Sequence, residues 1–106
     1  MDITYYKLAG VLLEEFVTLE EFAERHNLKM IVKERSHIES PTRFYAYFDG
    51  AEFKDKSFLI SMYGNGSNEQ EAIYNYAREI SGKLMVIGAY TDNRKEILVP
   101  IIKEKI

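Results

Sequence analysis

The chain has 106 residues, 46% of them apolar, and a formal net charge of −3. That length suits a single domain, 1–106, which buries about two-thirds of its unfolded surface and needs no metal or disulfide to hold its core. The absence of cysteine excludes disulfides, thiolate catalysis and cysteine-ligated zinc or iron–sulfur sites, and the acidic balance argues against a broad phosphate-binding face.

The first residues, Met1-Asp2-Ile3-Thr4, lack the basic-then-apolar pattern of a secretion signal. No apolar run approaches the roughly eighteen residues of a membrane span. A soluble, cytoplasmic protein with no membrane contact is the expectation. Over residues 5–17, Tyr5, Leu8, Leu12 and Phe16 stand at helical spacing and predict a first helix, with Gly10 as its weak point. A second helix over 18–27 has a clearer start. Thr18 and Glu21 match a capping box, Val17 and Phe22 a hydrophobic staple, and Asn27 suits a left-handed stop.

Three strands are predicted next. Residues 29–35 alternate around a β-branched centre. After a polar loop closed by Pro41, residues 42–48 put Thr42, Phe44, Ala46 and Phe48 on one face and Arg43, Tyr45 and Tyr47 on the other. Asp49-Gly50 signals a tight turn, beyond which the ladder resumes either at Ala51 or after Lys54-Asp55-Lys56. The third strand, 57–63, aims Phe58, Ile60 and Met62 one way.

Tyr63-Gly64-Asn65-Gly66-Ser67 then joins strand to helix. Gly64 and Gly66 predict a sharp turn at backbone angles closed to other residues, and Ser67, with Gln70 three places on, predicts the cap of a helix over 68–81. Its apolar stripe is Ala72, Ile73, Tyr76, Ala77 and Ile80, and Gly82 is its stop. Residues 84–87 read as a buried strand and 91–94 as a turn. Residues 97–102 read as a strand interrupted by Pro100, which places it at a sheet edge. The order predicts an α+β fold: an antiparallel three-stranded sheet with helices packed on one face (α-β-β-β-α), core residues 18–84, and a C-terminal strand or hairpin over 84–102.

No catalytic set assembles. The glycine segment puts Glu69 where a dinucleotide fingerprint needs its third glycine, and no Lys-Ser/Thr pair follows to make a phosphate loop. His26 and His37 lack metal-ligand spacing, so neither a metal nor another cofactor is expected. Glu14-Glu15 and Glu20, Glu21 and Glu24 read as solvated helix faces. The suggestive group is on the sheet. Lys33 and Arg35 share a face of the first strand with Lys29; Arg43, Tyr45 and Tyr47 share a face of the second, which Tyr63 extends. Cations and aromatic rings together suit nucleic acid. Tyr and Arg also suit the centre of a protein contact, and a solvated one-sided sheet accounts for the same residues without any ligand.

The segments T-L-E-E-F-A-E-R-H-N-L, R-F-Y-A-Y-F-D-G and G-N-G-S-N-E-Q-E-A-I-Y-N-Y-A, in this order, resemble the double-stranded-RNA-binding domain family over about residues 18–84. In that family a lysine cluster opens the last helix and grips phosphates. Here Asn68, Glu69, Gln70 and Glu71 occupy those positions, so the duplex-clasping role does not carry over. His37 lies near the family's minor-groove histidine. S-N-E-Q-E-A-I-Y-N-Y-A-R-E-I is similar to the start of the HicB antitoxin helix. The longer pattern Y-G-N-G-S, E-A-I, I-S-G-K, V-I resembles small phage and prophage proteins of low-GC Gram-positive bacteria. The expectation is a non-enzymatic interaction or regulatory module acting on a host or phage protein, the alternative being nucleic-acid binding through Lys33, Arg35, Arg43, Tyr45, Tyr47 and Tyr63. The apolar C-terminal strands offer a further route, a homodimer.

Overall fold

The computed structural model describes residues 3–9, 12–36, 42–99 and 101–104, with 3–18 and 101–104 described through their backbone. The fold is α+β with antiparallel sheets, as expected. The predicted helix over 5–17 is instead two strands, β1 (Ile3–Ala9) and β2 (Leu12–Thr18), paired antiparallel with Tyr5 opposite Val17 and Tyr6 opposite Phe16. A spacing of three to four residues between apolar positions fits a hairpin of aromatic and β-branched residues as well as a helix, and here cross-strand pairing wins.

Helix α1 (Leu19–Arg25) starts directly after β2 and buries Leu19 and Phe22. Asn27 ends it at φ 54. Leu28 N donates to Ala23 O at 2.7 Å and Asn27 N to Glu24 O at 3.2 Å, the paired bonds of a Schellman stop. The side chains of Val17 and Thr18, and residues His37, Pro41 and Pro100, lie outside the described set.

Strand β3 (Met30–Glu34) pairs with β4 (Phe44–Phe48), which pairs with β7 (Gly64–Gly66), giving the three-stranded sheet β3-β4-β7. Asp49-Gly50 does turn the chain, with Gly50 at φ 77, but it makes a corner and no hairpin. Strand β5 (Ala51–Asp55) resumes at once and belongs to another sheet, β6-β5-β8-β9, with β6 (Phe58–Ile60), β8 (Leu84–Ile87) and β9 (Lys95–Leu98). The predicted third strand is therefore split: Phe58–Ile60 pairs with β5, and the chain returns at Gly64 to pair with β4. Ile60 stands opposite Phe53 and, with Phe58, shares its face of the sheet, but neither is covered. Phe58 and Ile60 are 70% and 38% exposed, because β6 is an edge strand that no helix covers. Strand β10 (Ile101–Glu104) leaves this region to pair with β1, so β9 and β10 both lie at sheet edges.

Helix α2 (Glu69–Ile80) lies on the inner face of β3-β4-β7 and buries Ala72, Tyr76, Ala77 and Ile80. The core is a chain of rings. Phe22 of α1 meets Phe48 of β4 (centroids 6.4 Å apart), Phe48 meets Tyr76 edge-on (5.4 Å), and Tyr76 meets Phe53 of β5 (6.4 Å). The glycines serve this packing. Neither Gly64 nor Gly66 has a positive φ, so the predicted sharp turn is absent. A methyl group on Gly64 would overlap Tyr76 N and Ala72 O, and one on Gly66 would overlap Ala72 N. They are glycine so that helix backbone can rest on strand backbone. The cap also differs from expectation. Asn68 caps α2, its Oδ1 accepting from Glu71 N at 2.8 Å, while Ser67 donates through N and Oγ to the Glu71 carboxylate. The extended glycine strand carries Ser67 one residue short of the helix start.

Candidate functional site: the outer face of the tyrosine sheet

With α2 on the inner face, alternation sends Tyr45 and Tyr47 of β4 to the outer face of β3-β4-β7. Lys33 stands opposite Tyr45 in the β3–β4 register. Extending the β4–β7 register by one step puts Tyr63 opposite Tyr47. The three rings make a closed triangle. Tyr45 and Tyr47 lie nearly parallel at 6.0 Å, and Tyr63 meets both edge-on, at 5.8 and 5.3 Å. Each edge-on pair sets a positive ring rim against a negative ring face, so the group holds its own geometry without a ligand.

Arg35 locks one side of it. Its guanidinium carbon lies 4.4 Å above the Tyr45 ring, and Nη1 donates to Thr42 O at 2.6 Å and to Asn65 Oδ1 at 2.8 Å. Asn65, between the two buried glycines, points outward because its neighbours point inward. Its carbonyl oxygen accepts from Asn75 Nδ2 at 2.6 Å, which ties the outer face to helix α2. Arg43 is drawn away by Glu34, which accepts from its guanidinium and pairs with it.

The structure thus brings Arg35, Tyr45, Tyr47 and Tyr63 together, places Lys33 beside them, and separates Arg43 from them. Gly64, Gly66 and Ser67 sit behind this surface and hold α2. Asn65 was not foreseen. Its signal was available, since a residue between two inward glycines in an extended segment must face outward.

Beside the triangle, at the β4–β5 corner, is a cleft of about 340 Å³, lined by Tyr47, Tyr63 and Tyr90, with Met62 and Glu52 also in its lining. Among the described residues no three His, Asp or Glu side chains converge as metal ligands. No described helix is long and apolar enough to cross a membrane. Among the described residues the one strongly shifted acid is Tyr76, in the core: burial pushes its phenol up to about 12, against the hydrogen bond it accepts from Phe48 N at 3.1 Å. It faces no cleft and serves packing. No family model matches the chain, and no curated protein or solved structure matches it.

Proposed function

We propose that this protein is a non-enzymatic interaction module whose outer sheet face, centred on Tyr45, Tyr47 and Tyr63, docks a protein partner. The observation that carries this reading is the locked triangle with Arg35 fixed over it. Its side chains have already surrendered the rotational freedom that docking removes, and Tyr with Arg is the composition of contact centres. Two of the three cations expected to meet phosphates there are engaged within the protein, Arg35 by Thr42 and Asn65 and Arg43 by Glu34. The resemblance to small phage proteins suggests a host or phage protein as the partner. The α1, β3-β4-β7, α2 order supports a likeness to the double-stranded-RNA-binding fold, with β5–β6 inserted before the third strand. Glu69 in the first turn of α2 speaks against a duplex clasp.

Lys33 opposite Tyr45 is the observation that favours the alternative, a single-stranded nucleic acid stacked on the same rings. The sides of β9 and β10 that no described strand pairs leave room for a second copy of the chain. Affinity capture from lysate of the natural host with the whole chain as bait separates these. One protein recovered in stoichiometric amount and lost on Tyr63→Ser, but kept on Phe58→Ser, is the expected result. Tight, salt-sensitive binding of RNA or DNA, lost on Lys33→Ala with Arg35→Ala, would replace this reading by the alternative.

A further inference from the structure

The cleft at the β4–β5 corner has a chemistry that a flat contact does not use. Tyr47 and Tyr63 meet at an interplanar angle of 79°, so their rings form two walls of a corner. Tyr90 also lines the cleft, 85% exposed, on a loop that is tied down. Thr91 N and Oγ1 both donate to Gly88 O, at 3.0 and 2.9 Å, and Asn93 N donates to Thr91 Oγ1 at 3.1 Å. These bonds hold the loop that carries the exposed Tyr90 ring at the rim of the cleft. Among the described residues the only charged side chain in the cleft lining is Glu52, with no lysine, arginine or histidine beside it. Two other sheet carboxylates are neutralised within the fold, Glu34 by Arg43 and Glu96 by Lys54 and Arg94. Glu52 has no such partner among the described residues.

Ring faces carry negative charge, and ring faces beside a carboxylate attract a cation with an apolar stem. We infer that this cleft receives an organic cation, the ammonium or guanidinium end of a lysine or arginine side chain presented by the protein partner. The inference rests on the reading of the tyrosine face as a protein contact, and it adds what that partner must carry. A volume near 340 Å³ is at the lower end of ligand sites, about 300–1,000 Å³, and suits one side-chain end. Met62 in the lining supplies a soft surface for the methylene stem.

The test titrates the whole chain with N-acetyl-lysine N-methylamide and with its uncharged counterpart, N-acetyl-norleucine N-methylamide, followed by NMR. Resonances of Tyr47, Tyr63 and Tyr90 are expected to shift with the lysine probe, which should bind about tenfold more tightly than the norleucine one. Glu52→Gln, which keeps size and hydrogen bonding, should weaken the lysine probe about fivefold and leave the norleucine probe unchanged. Tyr90→Ala should weaken the lysine probe as well. Equal binding of the two probes, shifts confined to other residues, or no shift at any soluble concentration would overturn the inference. So would a partner whose recovery is indifferent to Glu52→Gln. Recovery indifferent to Tyr45→Ser, with the lysine probe still filling the cleft, would instead remove the surface reading and leave the cation site standing.

Discussion

Two glycines with the same name do different work in this chain. Gly64 has ordinary backbone angles and no space for a side chain, since the atoms a methyl group would strike belong to the backbone of α2 and cannot step aside. Gly50 has φ 77 and open space around it. Gly64→Ala is therefore expected to cost about 3 kcal/mol or more, or to prevent folding, whereas Gly50→Ala should cost only the left-handed penalty, about 1–2 kcal/mol. Urea unfolding of both variants checks the order, and a Gly64 variant as stable as wild type would show that helix and strand are not in backbone contact. Tyr76 shows what a buried hydroxyl does where a ladder ends. The β4–β7 pairing stops at Ala46–Gly64, and Phe48 N–H turns to Tyr76 Oη instead. Tyr76→Phe leaves that N–H buried and unpaired, at about 1–3 kcal/mol. The same residue sets a pH dependence. Its phenol titrates near 12 when folded and near 10 when unfolded, so the folded state holds the proton longer. Stability is then full below pH 10 and falls by about 2–3 kcal/mol as the pH rises through 12. Between pH 8 and pH 11, halfway through that window, unfolding should show about half of this fall, roughly 1.4 kcal/mol, in the wild type and a smaller one in Tyr76→Phe.

At the level of elements, the start of α2 is held by a reciprocal pair: Asn68 accepts from Glu71 N, and Glu71 accepts from Ser67. Asn68→Ala should cost about 1 kcal/mol and lower Tm by roughly 4–8 °C, while Ser67→Ala, one residue outside the helix, should cost less; differential scanning calorimetry of the two variants decides which residue is the cap. Much of this element was legible. The stripe of Ala72, Tyr76, Ala77 and Ile80 repeats at the helical period, and Gly82 at φ 72 ends it. The stop at Asn27 and the alternation of Phe44, Ala46 and Phe48 were legible for the same reason, since each is written in residues adjacent in the chain. The hairpin of β1 and β2 was not. Its evidence is pairing between Tyr5 and Val17 and between Ile3 and Glu104, which lies across the fold. The candidate site divides the same way. Period two put Tyr45, Tyr47, Lys33 and Arg35 on one face, but the capture of Arg43 by Glu34 and the arrival of Tyr90 beside Tyr47 depend on how loops close.

For the whole molecule, the route of the chain decides how it unfolds. Strand β4 belongs to one sheet, β5 and β6 to another, and β7 returns to the first. Neither sheet can be completed without the other, because the β5–β6 hairpin is inserted between β4 and β7. The core crosses the same boundary, with Tyr76 of α2 touching Phe48 of the first sheet and Phe53 of the second. Unfolding should therefore be a single transition in which far-UV circular dichroism and tyrosine fluorescence share one midpoint. Phe53→Ala makes the test sharp. Phe53 is fully buried, so its loss should cost about 3–5 kcal/mol. If the sheets are one unit, that loss moves both probes together, including fluorescence from Tyr45, Tyr47 and Tyr63, which lie in the other sheet. If Phe53→Ala unfolds β6-β5-β8-β9 while the tyrosine triangle keeps its native signal, the sheets are separable units. The face proposed to dock a partner would then stand on β3-β4-β7 and the two helices alone.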